Sequence, residues 1–343
     1  MLMEKIIKPL FLTVLVISLL IIFKGFLIPF AYGLLIALIV YPICKKLENK
    51  KVPRSLSIFI SVFLVIIFLA IIVLIFFLLI RAVNKEMPQL TSRLQQSLFD
   101  TQKWIVSNLG VSLIEQSNIA DGMKIKLSSN IDKIISGSFS VVFGVVFHLV
   151  IIPLYAILIL FYRKVLINFV SSLIGEKYKH DLPVILSETI HIYFNYIKGM
   201  FFVYIIVGIL NSIGLLMLGV DYAILLGILT AFMTIIPYFG IIISSILPIT
   251  LVWVETNNAL YPLGVVTVFA VVQYLEANII FPYIVGKQLG INTLIAVVTI
   301  FAGGVIWGVQ GMILFLPFVA LLKIISGHIE EMKPLCKLLE IPR

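Results

Sequence analysis

The sequence predicts an all-α, polytopic integral membrane protein with about eight membrane segments, two of them broken or re-entrant helical hairpins, plus an external helical domain. Three observations support this prediction. Of the 343 residues, 62% are hydrophobic, whereas soluble domains are typically about half apolar. Several uncharged stretches reach the ~20 residues that an α-helix needs to cross a bilayer. Two longer uncharged stretches, residues 222–254 and 288–322, are interrupted by proline or glycine.

The N-terminal unit, residues 1–81, contains three apolar stretches, at residues 6–23, 25–43 and 55–80. Cytoplasmic loops of membrane proteins collect lysine and arginine, and a basic run from Lys45 to Arg54 follows the second stretch. This loop and the N-terminus are therefore expected in the cytoplasm. The two cysteines, Cys44 and Cys336, lie beside lysines on the same expected side, where thiols stay reduced, so no disulfide is predicted.

Two stretches outside the membrane are predicted around the fourth span, residues 139–162. Residues 82–138 are polar and carry leucines at helical spacing, which predicts an external helical domain. We interpret it as a cap on the membrane part or on a neighbouring protomer rather than as a ligand-binding domain. Residues 163–192 mix basic and apolar positions, which predicts amphipathic helices at the cytoplasmic membrane interface.

Residues 193–325 form the predicted transport core, followed by a cytoplasmic tail at 326–343. The core holds spans at 193–218 and 260–282 and the two interrupted stretches. A single helix over 222–254 would be ~50 Å long at ~1.5 Å per residue, longer than a hydrocarbon core of ~30 Å. Two half-helices are therefore expected.

The interruptions themselves predict a function. Pro237 removes a backbone donor and Gly240 permits a sharp bend, and a glycine cluster at 303–311 interrupts the second stretch. Irregular backbone at membrane depth persists only where protein covers it or where it lines a cavity. Paired broken segments of this kind are typical of secondary transporters. Acidic residues close the first stretch and lysines the second, which predicts hairpins of opposite orientation.

Glu276 is the main candidate for solute binding or coupling. A carboxylate within the membrane costs free energy unless it is paired, hydrated or protonated, so it is a functional candidate by default. A structural carboxylate that hydrogen-bonds a broken hairpin is the alternative. Likewise, Pro237 and Gly240 are first of all helix breakers, and Gly304 and Gly308 fit a close helix-packing motif. The full set of predicted substrate-binding or coupling residues is Glu276, Gln273, Asn278, Thr234, Pro237, Tyr238, Gly240, Gly303, Gly304, Trp307 and Gln310.

Several other functions are not expected. The pair Gly286-Lys287 is followed by Gln288 and lacks the upstream glycine of a phosphate-binding loop. There is no paired-histidine metal motif and no Gly-x-Ser-x-Gly nucleophile turn. We therefore predict no catalytic residues, no metal, no cofactor and no enzyme activity. The net charge of +9 belongs to membrane orientation rather than to a nucleic-acid partner.

Four motifs together carry a family resemblance. They are Ile236-Pro237-Tyr238-Phe239-Gly240, Gln273-x-x-Glu276-x-Asn278-x-x-x-Pro282, Gly286-Lys287-x-x-Gly290, and the glycine cluster at 303–311. In this order and spacing the chain resembles the AI-2E family of bacterial transporters over nearly its whole length. Ile241 and Asn292 depart from the residues frequent in that family, which bears on substrate rather than on fold.

The resemblance implies secondary-active, proton-coupled export of a small polar molecule such as autoinducer-2, a quorum-sensing signal, across the bacterial cytoplasmic membrane. The hairpin tips would meet near mid-membrane, both termini would be cytoplasmic, and a homo-oligomer is plausible. The expected partners are a small polar solute, a coupling proton or sodium ion, and the lipid bilayer. Two alternatives remain, a monovalent cation/proton antiporter and a non-transporting membrane scaffold.

Overall fold

The computed structural model describes residues 2–71, 73, 74, 77, 78, 81, 148–237, 239–256, 258 and 260–341. Over these residues the regular elements are helices, apart from one isolated β-bridge between Ile291 and Glu340. The all-α prediction is therefore confirmed. The predicted external domain at 82–138, like the first residues of the fourth span, lies outside the described residues.

Fifteen helices are labelled here in chain order over the described residues. They are α1 (Leu2–Ile22), α2 (Lys24–Asn49), α3 (Arg54–Ile71), α4 (His148–Phe161), α5 (Arg163–Leu173), α6 (Glu176–Lys179), α7 (Leu182–Met217), α8 (Ala223–Met233), α9 (Phe239–Thr256), α10 (Leu260–Leu275), α11 (Phe281–Ile284), α12 (Gly286–Leu289), α13 (Thr293–Trp307), α14 (Val309–His328) and α15 (Lys333–Leu339).

Five segments of the described chain are long and apolar enough to cross a membrane: α2, α3, α7, α14 and the run Leu260–Ile284 that begins with α10. A sixth is obtained if α4 and α5, which are bent by 69° at Tyr162, count as one span. Shorter apolar helices include α8, α9 and α13. This pattern confirms a polytopic membrane protein in which some apolar helices are too short to cross alone.

The N-terminal frame consists of α2, α3 and α4. These helices share one apolar core cluster, made of Ala37, Val40, Cys44, Ile58, Val62, Ala156 and Leu160. Small residues in this interface permit close helix packing: a Cβ on Gly33 of α2 would lie 2.5 Å from the Tyr155 Cβ of α4. The frame therefore holds the N-terminal spans against the fourth.

Helices α7 to α10 form a second unit, in which each helix packs on the next and α10 packs back on α7. Its apolar interior includes Leu215 of α7, Leu226 of α8, Val252 of α9 and Phe269 of α10. We call this arrangement the four-helix ring. Burial of large apolar side chains from all four helices stabilises it by dispersion and close packing.

Helix α7 is longer than the sequence indicates. It begins at Leu182 and has 36 residues, whereas the predicted span starts at residue 193. Pro183 lies in its first turn, where the missing N–H has no intrahelical partner to lose, so proline begins this helix rather than breaking it. The amphipathic segment expected at 163–192 therefore consists of α5, α6 and the first turns of α7.

Both long uncharged stretches are helical hairpins with short breaks. In the first, α8 ends at Met233 and α9 begins at Phe239. In the second, α13 and α14 are separated by Gly308 alone, whose φ of 65° and ψ of −147° suit only glycine. Each hairpin also closes on glycine: a Cβ on Gly240 would lie 1.8 Å from the Met233 carbonyl oxygen, and one on Gly311 would lie 2.0 Å from that of Gly303.

Candidate functional site

Glu276 lies on the run that continues α10, at the inner side of the helix. It is 9% exposed, and its Oε2 atom is buried without a hydrogen-bond partner among the described residues. Burying a carboxylate is costly unless it is paired, hydrated or protonated. An unpartnered buried oxygen at this depth therefore marks Glu276 as the first candidate for a functional side chain.

The backbone around Glu276 is also unusual. Glu276–Ile280 form a π-helical turn, in which the Phe281 N–H donates to the Glu276 carbonyl. Pro282 follows directly, and a proline ring clashes with the carbonyl four residues earlier in a regular α-helix. The wider π turn relieves this conflict. Such turns are frequent at functional sites, and here the turn starts at the buried carboxylate.

Polar residues of α7 lie on the same side as its buried apolar residues. Asn211 is fully buried one turn from Leu215, and its Nδ2 donates to the Val207 carbonyl at 2.9 Å. Its Oδ1 is buried with no partner in the described residues. Tyr204, seven residues earlier and so on the same face, lies within electrostatic range of Glu276. The interior of the ring thus carries two unsatisfied oxygen acceptors.

Helix α8 adds hydroxyl groups to this interior. Thr230 is fully buried one turn after Leu226, and its Oγ1 donates to the Leu226 carbonyl at 2.9 Å. Thr234, one turn further, donates to the Thr230 carbonyl at 2.8 Å. Because each hydroxyl donates its hydrogen to a backbone carbonyl of its own helix, its lone pairs remain available as acceptors.

The interior of the ring is therefore divided along its length. Its apolar part holds Leu215, Leu226 and Phe269, and the polar groups follow one or two turns closer to the first hairpin break. A polar solute in this interior would find acceptors at the break and a closed apolar layer beyond them. Passage through the unit then requires that layer to open.

The structure separates the residues of the predicted Gln273–Asn278 motif. Gln273 is half-buried beside Glu276, whereas Asn278 is exposed and its Nδ2 donates to the Tyr274 carbonyl of its own helix at 3.0 Å. At the first break, Pro237 is half-buried and Gly240 is buried; Tyr238 lies outside the described residues. Of this part of the prediction, Glu276, Gln273 and Thr234 lie at the polar part of the ring.

The second break has a different environment. The Trp307 indole N–H donates to the Leu20 carbonyl of α1 at 2.9 Å, and its ring packs edge-on against Phe315 at 5.1 Å. The backbone hydrogen bonds of α1 end with the one from the Phe23 N–H to the Leu19 carbonyl. The next carbonyl, that of Leu20, accepts its hydrogen bond from the tryptophan. Trp307 therefore anchors the second hairpin to α1, which packs on α2 of the N-terminal frame.

The other predicted residues of the second break pack helix against helix. Gly303 is buried against Gly311, and a Cβ on Gly304 would lie 2.6 Å from the Met312 Cε. The close approach uses Gly303 and Gly311 rather than the Gly304 and Gly308 pair considered from sequence. Gln310 is half-buried near the break.

Sequence reasoning did not single out Tyr204, Thr230 or the π turn as parts of the site. Tyr204 and Thr230 carry a weak signal, since each lies on the same helical face as a buried leucine. The π turn has a local signal in Pro282, six residues after a carboxylate in an apolar run. No group of three or more metal-ligating His, Cys, Asp or Glu side chains occurs among the described residues.

Comparison with known proteins gives consistent matches. The family described as AI-2E family transporter matches residues 10–331. In Bacillus subtilis, the Putative transport protein YrrI is 26% identical over 324 residues, covering 90% of this chain and 88% of the relative. The Putative transport protein YueF of the same organism is 29% identical over 315 residues, covering 85% of this chain and 82% of the relative.

A third match comes from another organism. A Putative transport protein from Borreliella burgdorferi is 26% identical over 314 residues, covering 89% of this chain and 82% of the relative.

Proposed function

The chain belongs to the AI-2E transporter family, and from that premise we propose that it exports a small polar molecule such as autoinducer-2 by proton-coupled secondary transport. Membership of the family and its named relatives support a transport role. The substrate, the direction and the coupling ion are the parts that we propose.

The observation that carries the proposal is the buried carboxylate of Glu276 on its π turn, with one oxygen unpartnered. A carboxyl group at this depth can accept a proton when the site is open to one side and release it when the site is open to the other. Binding of the proton and binding of the solute would then compete for, or share, the same oxygen. Through this shared oxygen the proton gradient would drive movement of the solute.

The heights of the groups along α7 support a common binding level. Ala231 of α8 lies opposite Gly208, where an added Cβ would approach within 3.1 Å, so Pro237, six residues on, lies level with about residue 202 of α7. On α10, Val268 lies opposite Gly214 of α7. Glu276 is eight residues after Val268, so it lies level with about residue 206 of α7.

The second break lies at the same level along α7. The Tyr193 hydroxyl donates to the Pro317 carbonyl, and His328 lies 3.8 Å from Glu188, so α14 runs antiparallel to α7. Gly308, nine residues before Pro317, is then level with about residue 202. Both breaks and the carboxylate therefore fall within roughly one helical turn of each other in height, which supports a shared site near mid-membrane.

In the proposed cycle, the first hairpin moves and the second stays with the frame. The Trp307 bond to α1 and the packing of α13 and α14 on each other favour the second hairpin as the fixed wall. Rocking of α8 and α9 against it would part the apolar layer of the ring and give alternating access.

A monovalent cation/proton antiporter is the second candidate, and one observation favours it. The described polar groups of the ring present acceptors, namely the Asn211 Oδ1, the Glu276 Oε2 and the lone pairs of two threonines. Oxygen acceptors suit a desolvated cation as well as a solute rich in hydroxyl groups.

Flux measurements in proteoliposomes of the purified protein would separate these functions. With an imposed pH gradient, we expect movement of autoinducer-2 that is lost in Glu276→Gln and retained in Glu176→Gln. The second variant is a matched control, because the Glu176 side chain is 86% exposed on α6. Cation-coupled proton flux without autoinducer-2 movement would favour the antiporter.

Two further results would overturn the mechanism or the function. Unchanged, gradient-driven flux in Glu276→Gln would remove this carboxylate from the coupling step. No flux of autoinducer-2, sodium or potassium would contradict the transport proposal for these solutes and raise the scaffold alternative.

A further inference from the structure

The corner where α2 meets the α4–α5 bend carries a large excess of positive charge. Residues 44–54 and 160–175 contain seven basic side chains and one acidic side chain, Glu48. Glu48 is already paired, since both of its carboxylate oxygens accept from the Arg163 Nη2, at 2.8 and 2.7 Å. The remaining excess has no acidic partner within these two segments.

The arginines fix the shape of this corner. The Arg54 Nη2 donates to the carbonyls of Leu160 and Phe161, at 3.1 and 2.7 Å, where α4 ends. Arg163 lies over the Tyr41 ring at 5.3 Å, in addition to its bonds with Glu48. The chain bends by 69° between α4 and α5 at this point. Contacts from α2 and α3 therefore hold the bend in place.

The lysines of the corner face outward. Five of them are exposed: Lys45, Lys46, Lys50, Lys51 and Lys164. The ion pair between Glu48 and Arg163 brings the end of α2 next to the start of α5, so these lysines belong to one surface. We call this surface the lysine corner.

Helix α5 continues from the lysine corner with an amphipathic pattern. It has 11 residues, ~16 Å at ~1.5 Å per residue, and none of its residues is buried. Five of its exposed apolar side chains repeat every three or four residues and form one stripe: Val165, Leu166, Phe169, Val170 and Leu173. Ile167, which is 40% exposed, lies outside this stripe. Lys164, Asn168 and Ser171 lie on the opposite side.

We propose that the lysine corner and α5 form a binding site for anionic phospholipid, in which α5 lies in the membrane interface and the lysines bind headgroup phosphates. A helix too short to span, turned well away from α4, with one apolar stripe and basic residues beside it, fits a bilayer surface. Each basic side chain near an anionic membrane surface adds electrostatic attraction to that surface. The partner is therefore the lipid and not a soluble anion.

Lipid association of the purified protein tests the headgroup part. Spin-labelled phosphatidylglycerol and phosphatidylcholine are compared in vesicles by electron paramagnetic resonance. We expect the wild type to prefer phosphatidylglycerol, and the variant Lys46→Gln/Lys164→Gln to lower that preference by about threefold or more. The matched control is Lys333→Gln/Lys337→Gln, which removes two exposed lysines near the C-terminus and is expected to keep the preference.

Inorganic phosphate separates the two sources of the same anion. Added at constant ionic strength, it is expected to leave the bound phosphatidylglycerol in place; displacement would assign the corner to a soluble phosphate and overturn the proposal. Equal association of the two lipids with the wild type, or an equal loss in the control variant, would also overturn it.

Single labels along α5 test its position, in a protein whose Cys44 and Cys336 are replaced. Labels at positions 165, 169 and 173 are expected to collide more with oxygen, and a label at 168 more with a water-soluble nickel complex. Protection of positions 165–173 from both reagents, with dipolar broadening between labels, would show that a second copy of the chain covers the stripe. That result would contradict the lipid site.

Discussion

The two hairpins are both uncharged stretches interrupted by proline or glycine, but they differ in what surrounds their breaks. The break of the first, between Met233 and Phe239, lies next to buried Thr230 and half-buried Thr234 and at the height of Glu276. The break of the second is Gly308 alone, and the neighbouring Trp307 is bonded to α1. An uncharged stretch with a glycine or proline break therefore does not define a mobile element. In the mechanism that we propose, the partners of the break decide whether it moves.

The largest expected effect is a loss of stability when the closely packed glycines that both hairpins share are replaced. Gly311→Ala and Gly240→Ala each place a methyl group within 2.0 Å of a main-chain oxygen. Because backbone cannot yield as a flexible side chain does, each should destabilise the fold by at least the ~1–3 kcal/mol typical of overpacking. Thermal unfolding in detergent measures this loss.

Gly25→Ala is the control for both glycine variants. Gly25 lies in α2, and a Cβ there would meet nothing within 4 Å, so the change should leave stability equal or slightly higher. If either hairpin variant unfolded at the temperature of this control, the close packing of that hairpin would be disproved.

A smaller effect separates the hairpins. Trp307→Phe removes the donor to the Leu20 carbonyl but keeps an aromatic ring against Phe315. A lost hydrogen bond costs about 0.5–1.5 kcal/mol, so we expect lower thermal stability and unchanged flux per folded molecule.

Thr234→Val is the counterpart at the first break. It removes a hydroxyl whose only described bond is to its own helix, so stability should change by less than about 0.5 kcal/mol while flux falls. The distinction between a binding break and an anchoring break would be contradicted if Trp307→Phe lowered flux and Thr234→Val did not.

The smallest effect is expected at the contact between α6 and the segment that follows α14. The Glu330 carboxylate accepts from the Lys177 ammonium at 2.5 Å, which lowers the pKa of Glu330, and Tyr178 lowers the pKa of Glu331 in the same way. A lowered carboxyl pKa gives stability that is present above the ordinary value of about 4.3 and is lost only as pH falls below it.

Between pH 6 and 8 this exposed contact should therefore stay ionised and constant. We expect Glu330→Gln to leave the pH profile of flux over that range unchanged, measured in the same proteoliposomes. A shifted pH profile of flux would show that this contact, and not the ring interior, determines the pH sensitivity of transport.

Much of the fold follows from the sequence because uncharged length and helix breakers act locally. Both breaks, near Pro237 and near Gly308, occur within the predicted stretches, and the helical class is confirmed. Helix α7 begins at Leu182, before the predicted membrane span, and its start is not evident from sequence because periodicity alone does not tell a proline in a first turn from one that ends a helix.

The site was less accessible to sequence reasoning. Glu276 was found because a carboxylate in an apolar run is conspicuous. The contact of Trp307 with Leu20 joins residues 287 positions apart, and the alignment of Asn211 and Thr230 depends on how α7 packs on α8. Such relations come from tertiary packing, which one sequence without structure does not reveal.

The most direct test of the account is a pair of distances measured by double electron–electron resonance. One pair of labels joins the frame at Leu56 to the first hairpin at Ile242, and the other joins Leu56 to the second hairpin at Val305; all three side chains are exposed. The measurement compares the protein with Glu276→Gln, which mimics the protonated carboxyl group. The account predicts that the distance from residue 56 to residue 242 changes and the distance to residue 305 does not. A change confined to residue 305, or equal changes at both positions, would contradict it.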